Sequence, residues 1–438
     1  MSLLPKNGLK SAKLLQVLNE ARGSDASWKN GRTWSLVYYA GKKHTEQLLD
    51  VYKLFYAENA LSPGAFPSLA KFERDVVKIM ADLLGGTGKA TGTMTSGGTE
   101  SILLSVKTHR DWFRSKHPRV RRPKIIIPAS AHPAFYKAAH YFDLEPVTVS
   151  LNACFRLDPA EVASAISKDT ALLVASAPSY PYGMVDPIVD LGALAQKHQI
   201  GLHVDACLGG AFLPFMRRLG IATPDFDFTI PGVTSISADL HKYGFATKGT
   251  SVVLYRDAAL RRFQFFAKPD WLGGAYASPA MLGTRPGGGI AAAWAALMLL
   301  GENGYLQLVK KTLGYRDQLF TGIQSVGGLE IVGKPDMGVF CFASKVYDIF
   351  AIAEKLEKKG WRIDRQKNPP SIHMIVTVNH GKAVKDFVRD LKSVVAKEKK
   401  GNSSSNSASV GLYGVTNNFH GGDDPVESLY RAMESIYD

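Results

Sequence analysis

Between residues 124 and 255 the chain alternates short aliphatic or β-branched runs with helical segments, and this alternation constrains the fold most. The runs are KIIIP, ALLVAS, IGLHV, VTSISA and TSVVLY. Each has the length of a strand that is buried on both faces, and the helical segments between them can serve as crossover connections. We therefore predict an α/β fold with a mainly parallel central sheet and helices on both faces. Ligands of such sheets bind at the carboxyl ends of the strands.

The pattern changes after the GENG turn at residues 301–304. A helix is followed by GLEIVG, MGVFCFA, a long helix near 347–359 and SIHMIVTV, an order that predicts a smaller C-terminal α+β domain. A chain of 438 residues is long enough for two or three domains, each with its own core. We expect an N-terminal segment, a large ligand-binding domain and the small C-terminal domain at residues 1–60, 61–303 and 304–438.

The chain carries an excess of positive charge, with 53 Lys and Arg against 39 Asp and Glu, or +14 at pH 7. Half of this excess lies between Lys107 and Lys124, where eight basic residues accompany one acid, Asp111. Such a stretch is either a patch for a polyanion or an anionic membrane, or the solvated end of a surface helix and the loop after it. It lacks zinc-finger spacing, RNA-binding aromatic motifs and basic heptads, so we expect no nucleic-acid partner. Peripheral contact with an anionic membrane stays open.

Compartment and metal content are constrained by what the sequence lacks. It has no run of about 18 apolar residues and no secretory signal at its start. Its three cysteines form no C-x-x-C pair, which is typical of a reducing compartment and argues against a structural zinc site. We expect a soluble cytoplasmic protein without a metal, with export into a host cell left open.

Two features imitate functional sites. The segment GGTGKATG at residues 85–92 resembles a phosphate loop, but it lacks the first glycine and the hydroxyl residue after the lysine. We therefore expect no nucleotide there. Four histidines on polar segments show no metal spacing and are predicted at the surface: His44, His109, His117 and His198.

Three other motifs follow predicted strands and carry groups suited to chemistry. In TSGGTE, two glycines precede a helix that begins near Thr99, and free amides at a helix start form a cup for an anion such as phosphate. Asp205 follows the IGLHV strand directly and needs a cationic partner if it is buried. Lys242 follows the VTSISA strand, where desolvation favours the neutral amine that imine formation requires. Taken singly, each is also consistent with a tight turn or a surface charge.

Together, the cup, the aspartate and the lysine on successive crossings of one sheet fit pyridoxal phosphate. The cup would hold the phosphate, Asp205 would pair with the pyridinium nitrogen, and Lys242 would carry the imine. The aspartate keeps the ring nitrogen protonated, so that the ring accepts electrons from the substrate.

The same segments resemble a known family. TSGGTESILLSVKTHRDW, HVDACLGGAF, GVTSISADLHKYGFATKGTSVVLY and GTRPGG are similar to the sphingosine-1-phosphate lyase family, which are fold-type I pyridoxal-phosphate enzymes of the group II decarboxylase superfamily. The resemblance runs from Tyr38 to GLYG at 411–414. It implies cleavage of the C2–C3 bond of a phosphorylated sphingoid base to a long-chain fatty aldehyde and phosphoethanolamine. It also implies a homodimer with active sites shared between subunits, to which residues 1–60 contribute.

The resemblance assigns further residues to the cofactor. It implies that His132 stacks on the ring, that His241 contacts the phosphate, and that Gly98 and Thr99 form the cup. Thr284 of GTRPGG would complete the cup from the partner subunit.

It also matches Tyr180 to a tyrosine that faces the reacting carbons, and it makes Tyr180 and Lys248 candidates for proton transfer. A retro-aldol cleavage must remove the proton of the C3 hydroxyl, and a tyrosine can accept it only where nearby cations favour its phenolate. Two roles for Lys248 stay open: it takes part in the proton transfer, or it binds the substrate phosphate only.

For the substrate phosphate, the resemblance implies Tyr38 and Asn59 together with Lys248. The usual histidine of the family is replaced here by Ser62, which is shorter and uncharged and donates one hydrogen bond. This departure puts the phosphate affinity and the preferred substrate in question.

Two alternatives remain. A pyridoxal-phosphate amino-acid decarboxylase would use the same cofactor residues with a clamp such as an arginine for the substrate carboxylate. A basic nucleic-acid-binding protein with a dead cofactor fold would show no visible cofactor absorbance and a steep salt dependence of binding.

Overall fold

The structure, a computed structural model, describes residues 4–398 and 425–437. Its helices are α1 (Ser11–Ala21), α2 (Lys42–Leu54), α3 (Pro67–Leu83), α4 (Gly98–Lys116), α5 (Ala134–Tyr141), α6 (Pro159–Ala165), α7 (Ile188–His198), α8 (Leu213–Arg218), α9 (Ala258–Arg261), α10 (Gly287–Gln324), α11 (Ile349–Glu357), α12 (Ala383–Val395) and α13 (Pro425–Tyr437). The polar segment GNSSSNSAS at 401–409, which we predict to be an exposed loop, lies outside the described residues, as does GLYG at 411–414.

The strands divide into a large sheet, a hairpin and a small sheet. They are β1 (Thr91–Thr95), β2 (Lys124–Pro128), β3 (Glu145–Val149), β4 (Thr170–Ser176), β5 (Gly201–Asp205), β6 (Ser235–Asp239), β7 (Ser251–Tyr255), β8 (Phe266–Lys268), β9 (Tyr276–Ser278), β10 (Leu329–Ile331), β11 (Val339–Ser344), β12 (Asp364–Lys367) and β13 (Pro370–Ile375).

The large sheet has seven strands in the order β1-β7-β6-β5-β4-β2-β3. From β3 through β6 each neighbouring pair is parallel, whereas β7 is antiparallel to both β6 and β1. The predicted mainly parallel sheet is therefore confirmed, with β7 reversed because the link from β6 is too short for a crossover helix. Thr95, at the end of β1, lies opposite Ser251, which in turn lies opposite Asp239 at the end of β6. The carboxyl ends of β1 and β6 therefore share one edge of the sheet.

Burial explains why these strands read as continuous aliphatic runs in the sequence. Every residue of β4, β5, β6 and β7 is buried. Helix α4 packs on β4, β6 and β7, and α7 packs on β4 and β5. A strand covered in this way loses the polar alternation of a half-exposed strand, so its hydrophobic run predicts the parallel core.

The predicted C-terminal α+β unit is the small sheet, which is antiparallel in the order β10-β11-β13-β12. It packs with α11 and α12 around a second hydrophobic cluster that includes Phe340, Leu356 and Phe387. Trp34 from the N-terminal segment is fully buried in this cluster and stacks on Trp361 at 5.8 Å between ring centroids. The sequence missed β12, because its residues DRQK are polar and form the edge of the sheet.

Helix α10 joins the two sheets. The turn predicted at 301–304 is instead a kink inside this helix, where Gly301 has φ of 56°. A left-handed residue breaks the helical hydrogen-bond pattern locally, and glycine adopts that conformation without steric cost.

Three polar residues differ from expectation. The sequence places Asp186 as the N-cap of α7, but its buried carboxylate instead accepts hydrogen bonds from the amides of Ser176 and Leu157. His109 and His44 are predicted at the surface and are buried. His109 lies on a face of α4 that packs against the sheet, and His44 Nε2 lies 3.0 Å from the carbonyl oxygen of Phe245. His117 and His198 are exposed as predicted.

Most of the basic stretch is paired within the chain. Lys107 and Arg110 contact Asp111, Arg114 and Arg122 contact Asp143, and Lys124 contacts Glu145. Lys116 lies over the ring of Trp112, 4.0 Å from its centroid. The two remaining cations, Arg119 and Arg121, are exposed. Within the described residues, no helix has the length and apolar character needed to cross a membrane.

Candidate functional site

A cavity of about 310 Å³ lies where the carboxyl ends of β4, β5 and β6 meet the amino end of α4. Seven of the twelve predicted site residues line it: Gly98, Thr99, His132, Tyr180, Asp205, His241 and Lys242. Two larger hollows, of about 520 and 860 Å³, lie at the small sheet and beside the basic stretch. In the part of the chain that the structure describes, neither of these is lined by a predicted site residue.

The two glycines at the start of α4 shape one wall of the cavity. Gly97 has φ of 148°, and a Cβ added to it would meet one neighbour within 4 Å, His241 Cε1 at 3.8 Å. At Gly98 an added Cβ would lie 2.9 Å from both carboxylate oxygens of Asp239 and from Cys207 Sγ. Glycine is therefore required at position 98 for the helix start to approach β5 and β6. The amides of the first helical turn can then receive an anion.

Glu100 fixes the loop that carries these glycines. One of its carboxylate oxygens accepts from the amide of Ser96 at 2.6 Å, and the other accepts from the amide of Met281 at 2.9 Å. Glu100 is buried in the first turn of α4, where the helix dipole favours a negative charge. It lies within the predicted motif, but sequence reasoning gave it no role.

Lys242 forms an ion pair with Asp239. The Lys242 Nζ lies 2.9 Å from Asp239 Oδ2, and the Asp239 side chain is 1% exposed. Burial alone would disfavour the charged form of both side chains. The attraction between the two opposite charges outweighs this cost of burial for each of them. The pKa of Asp239 is lowered by Lys242 and His241, and the pKa of Lys242 is raised by Asp239 and Asp205. The other Asp239 oxygen, Oδ1, is buried and has no hydrogen-bond partner among the described residues.

This pair corrects the expectation that desolvation makes Lys242 a neutral amine. Without a cofactor, the nearby carboxylates favour its ammonium form, and the pKa of Lys242 lies above its ordinary value. The sequence does not indicate this pairing, although Asp239 lies in the same motif as Lys242.

Asp205, the last residue of β5, faces the same cavity. Its Oδ1 accepts from the amide of Cys207 at 3.0 Å and from the hydroxyl of Ser237 at 3.3 Å. Burial raises the pKa of the Cys207 thiol well above its ordinary value, so this side chain is a neutral thiol beside the carboxylate. Asp205 is thus available as a fixed negative charge for a cationic ring nitrogen.

Two cavity histidines are held by the backbone. His132 Nδ1 accepts from the amide of Ala134 at 3.1 Å, and His241 Nδ1 lies 2.8 Å from the carbonyl oxygen of Thr250, to which it donates. Burial lowers the pKa of both, so both rings are predominantly neutral at pH 7.

Tyr180 is held from the small sheet. Its ring stacks on His373 of β13 with 4.2 Å between centroids, and its carbonyl oxygen accepts from His373 Nε2 at 2.9 Å. Burial lowers the pKa of His373 to about 4, so this ring is neutral at physiological pH. The sequence gave no signal for His373, because the contact joins residues far apart in the chain.

The structure brings Lys248 to Tyr38 instead of placing either on the cavity wall. Lys248 Nζ lies 5.2 Å from the centroid of the Tyr38 ring and donates to the carbonyl oxygen of Leu36 at 2.7 Å. Burial and repulsion by Lys242 lower the pKa of Lys248 to about 8.

The remaining three predicted residues are Asn59, Thr284 and Ser62. The first two are in contact, and the third is at the surface. Asn59 Nδ2 lies 3.4 Å from Thr284 Oγ1, and Ser62 is exposed three residues further along the chain. Within the described chain these residues do not line the cavity.

The chain matches the family model "pyridoxal-dependent decarboxylase conserved domain" over residues 38–345. That range contains both sides of the cavity and all twelve predicted site residues.

Curated relatives match over nearly the whole chain. A sphingosine-1-phosphate lyase of Arabidopsis thaliana is 41% identical, and the match covers 99% of this chain and 81% of the relative. A sphingosine-1-phosphate lyase of Rattus norvegicus is 40% identical, with 94% of this chain and 73% of the relative covered.

Solved structures share the fold. A sphingosine-1-phosphate lyase of Burkholderia pseudomallei superposes with a TM-score of 0.87 at 38% identity, over 90% of this chain and 93% of that one. A glutamate decarboxylase of Lactobacillus brevis superposes with a TM-score of 0.80 at 20% identity, over 90% of this chain and 94% of that one. At that identity the second likeness shows the fold alone.

Proposed function

Because the chain belongs to the pyridoxal-dependent decarboxylase family and, within it, to the sphingosine-1-phosphate lyases, we propose that it cleaves phosphorylated sphingoid bases with pyridoxal phosphate. The bond broken is C2–C3 of the base, and the products are a long-chain aldehyde and phosphoethanolamine. The observation that carries the proposal is the convergence of Lys242, Asp205 and the amino end of α4 on one cavity.

The cavity residues fit this cofactor. Glycines 97 and 98 leave the backbone open where a phosphate would bind, and the first-turn amides of α4 supply donors. Asp205 is a carboxylate suited to a protonated ring nitrogen, and Lys242 supplies the amine. The unpartnered Asp239 Oδ1 marks a polar position beside that amine. His241 would contact the phosphate, and His132 would lie against the ring.

The chemistry supplied by bound pyridoxal phosphate is electron withdrawal from the carbon that bears the substrate amine. The protein must remove the proton from the C3 hydroxyl as the C2–C3 bond breaks. We assign this step to the phenolic oxygen of Tyr180, which lines the cavity and is held by the stacking contact with His373. A ring fixed in this way needs little reorganisation before the proton moves.

Lys248 is better suited to the substrate phosphate. It lies beside Tyr38, which we also assign to that phosphate, and it does not line the cavity that contains Tyr180. Its ammonium would supply a positive charge that Ser62 lacks. Asn59 would donate from its amide to the same phosphate. Of the two roles considered for Lys248, we therefore propose phosphate binding and not proton transfer, because Lys248 lies beside Tyr38 and away from the cavity wall.

We propose that the active protein is a homodimer in which Thr284 of one subunit completes the cup of the other. Thr284 does not line the cavity of its own chain as far as the described residues go. Near it in the sequence, large apolar side chains are exposed: Phe266, Trp271, Leu272, Met281 and Leu282. Apolar exposure of this kind supports a subunit interface.

We also propose peripheral contact with an anionic membrane. We assign this contact to two arginines and not to all eight cations between Lys107 and Lys124. Of the eight cations, Arg119 and Arg121 are exposed and take part neither in the ion pairs nor in the ring contact described above. They line the groove of about 860 Å³ beside Thr170 and Ile200, at the amino ends of β4 and β5. This is the sheet edge opposite the cavity, so the groove can hold the protein on a surface but cannot deliver substrate directly.

The test is incubation of the purified protein with sphingosine phosphate and pyridoxal phosphate, followed by mass spectrometry. We expect a long-chain aldehyde and phosphoethanolamine, and the Lys242→Ala variant should show neither these products nor the visible cofactor band. Carbon dioxide from an amino acid without aldehyde from the lipid would identify an amino-acid decarboxylase instead. Among the described residues that line the cavity there is no arginine to clamp a substrate carboxylate.

A further inference from the structure

A buried chain of polar side chains leads from helix α4 to the carboxylate of Asp205. Its members are joined by hydrogen bonds of 2.8 to 3.3 Å, of which the one between His109 and Ser105 goes to the Ser105 carbonyl oxygen: Thr234, His109, Ser105, Ser235, His203 and Ser237. We call this set the polar chain. All of its members except Thr234 are fully buried.

The strand register builds the polar chain. His203 lies opposite Ser235, and Asp205 lies opposite Ser237, so these four side chains are on one face of neighbouring parallel strands. Ser105 and His109 are four residues apart on α4, which places them on the same side of that helix. Polar groups buried inside a sheet are costly unless every one is hydrogen-bonded. An apolar set would pack the same space at lower cost, so this set calls for a functional explanation.

The tautomer of His109 follows from its contacts at the end of the polar chain far from Asp205. Burial lowers the pKa of His109 to about 4, so its ring is neutral. His109 Nδ1 donates to the carbonyl oxygen of Ser105 at 2.8 Å, which leaves Nε2 to accept from the Thr234 hydroxyl at 2.8 Å. The Thr234 hydroxyl also donates to the Leu202 carbonyl oxygen at 2.9 Å, an oxygen that accepts from the Thr234 amide as well. Because Nε2 of this His109 tautomer carries no proton, the hydrogen of the Thr234 hydroxyl is shared between His109 and the Leu202 carbonyl oxygen.

The near end determines the tautomer of His203. A carboxylate only accepts, so the Ser237 hydroxyl donates to Asp205 Oδ1 and must itself accept from His203 Nε2, which lies 3.2 Å away. His203 therefore carries its proton on Nε2. Its Nδ1 lies 2.8 Å from both the Ser105 and the Ser235 hydroxyls, and either can donate to it. Burial and the neighbouring His109 lower the pKa of His203 well below its ordinary value, which agrees with a neutral ring.

We propose that His203 is a positioning residue of the cofactor site, which acts through Ser237 to hold Asp205 oriented as a charged carboxylate. Every donor near this end of the polar chain points towards Asp205, so the carboxylate charge is stabilised on the side away from the cavity. The inference rests on the proposed function in one respect, namely that a cationic ring nitrogen binds opposite Asp205. His203 itself touches neither the cavity nor the cofactor phosphate site.

Ser237→Ala removes the last link with the loss of one oxygen atom. We expect pyridoxal phosphate to bind about tenfold more weakly and kcat to fall about tenfold, with KM nearly unchanged, because a hydrogen bond to a charged group is lost. The matched control is Thr108→Val, which removes a buried hydroxyl of α4 that bonds to Tyr255 and not to the polar chain. The control should match the wild-type protein in both measurements.

If the polar chain only stabilised the fold, cofactor affinity would change only in variants that also lose thermal stability. Position 203 tests this, because His203→Gln keeps a donor near Ser237 whereas His203→Leu does not. We expect Gln to retain cofactor affinity better than Leu even where both variants melt at the same temperature. Equal cofactor affinities for Gln, Leu and wild type would overturn the proposal.

The two hydroxyls on Nδ1 provide a second test. Because either one can donate, Ser105→Ala and Ser235→Ala should each change cofactor affinity little. The double variant should lose about as much affinity as Ser237→Ala. Additive small losses would contradict the assigned tautomer.

Nitrogen-15 NMR of histidine in the cofactor-free protein reads the tautomer directly. We expect His203 to be neutral with its proton on Nε2, and a proton on Nδ1 or a charged ring would refute the inference whatever the enzyme does. Failure of the wild-type protein to bind pyridoxal phosphate would instead sink the proposed function. Normal binding by wild type and by Ser237→Ala alike would sink only the role of His203.

Discussion

The ammonium of Lys242 lies 2.9 Å from a carboxylate oxygen of Asp239, three residues earlier in the chain. Both groups belong to the loop and strand end that carry the proposed imine lysine, and Asp239 is almost fully buried. The protein therefore stores its reactive amine as an ion pair. If Lys242 forms the imine, as proposed, cofactor capture must release the proton that Asp239 stabilises, and capture then depends on pH.

Asp239→Asn should move cofactor capture to lower pH. Asp239 raises the pKa of Lys242, so removing its charge lowers that pKa and increases the neutral amine at a given pH. We expect the pH midpoint of the capture rate to fall by about one unit or more, measured by the growth of the visible band. Glu302→Gln, at a surface acid paired with Arg218, is the control and should leave the midpoint in place. A midpoint that does not move, or moves upward, would refute the ion pair as the controlling interaction.

Gly98→Ala should weaken cofactor binding. The new methyl would lie 2.9 Å from the Asp239 carboxylate and the Cys207 sulfur, which forces the start of α4 away from β5 and β6. We expect a loss of about tenfold or more in affinity for pyridoxal phosphate, measured by titration of the cofactor-free protein. Gly314→Ala adds a methyl where nothing lies within 4 Å and should bind the cofactor normally. Wild-type affinity in Gly98→Ala would show that the cup is not where the phosphate binds.

The pH dependence of turnover separates the two roles of Lys248. Its pKa is lowered to about 8, so its ammonium is present below that pH and is lost above it. As a phosphate ligand, Lys248 makes KM rise as the pH passes about 8, with kcat unaffected by this group. As a proton acceptor it would instead make kcat rise over the same range, because the neutral amine is then required.

We expect the first pattern, because Lys248 lies over Tyr38 and not on the cavity wall. Lys248→Met should raise KM about tenfold and abolish its dependence on pH near 8. Steady-state kinetics at several pH values measure both parameters. A variant that keeps KM and loses most of kcat would restore the proton-transfer role.

Mixed dimers test the sharing of active sites. Lys242→Ala and Thr284→Asp should each be inactive alone, the second because a carboxylate in the cup repels the cofactor phosphate. If Thr284 acts across the interface, a mixed dimer has one intact site, and an equal mixture should recover about a quarter of wild-type activity. Subunits exchanged by refolding or co-expression are assayed for aldehyde release. No recovery in verified mixed dimers would place Thr284 in its own subunit's site.

The groove beside the basic stretch can be tested on vesicles. Changing Arg119 and Arg121 to glutamine should weaken binding to anionic vesicles about thirtyfold, at about 1 kcal/mol for each charge near the surface. Activity on dispersed substrate should be unchanged, because the groove lies at the opposite edge of the sheet. Lys358→Gln with Lys382→Gln removes the same charge from exposed positions elsewhere. Equal vesicle binding by both double variants would identify Arg119 and Arg121 as ordinary solvated surface.

The central sheet can be predicted from the sequence because strands buried on both faces consist of continuous hydrophobic residues, without alternating polar ones. Because ligands of such sheets bind at the carboxyl ends of the strands, the sequence also predicts that Asp205 and Lys242 lie near each other, and both line the cavity. The reversed direction of β7 could not be read from its composition, since TSVVLY suits either direction. Strand β12 was missed because its polar residues form an edge strand through backbone pairing alone.

Residue types predict which side chains line the cavity, but they do not predict a protonation state that depends on a partner. Lys242 follows a buried strand, but its protonation depends on Asp239, which no spacing rule identifies as its counter-ion. His109 looked exposed because its neighbours are charged, yet it lies on the side of α4 that faces the sheet. Asp186 looked like a helix cap because it precedes proline, but its carboxylate binds two amides of neighbouring loops and strands.

The contact between Tyr180 and His373 links the cavity to the second hydrophobic core. The tyrosine belongs to the large domain, whereas the histidine that stacks on it belongs to a strand of the small sheet. Lys242 and Asp205 belong to the large sheet and the loop after it, whereas the proposed base depends on the small sheet for the contact that orients its ring. If Tyr180 is the base, as proposed, docking of the C-terminal sheet completes the active site, and a displaced sheet would lower the rate of lipid cleavage without removing any residue of the cofactor cavity.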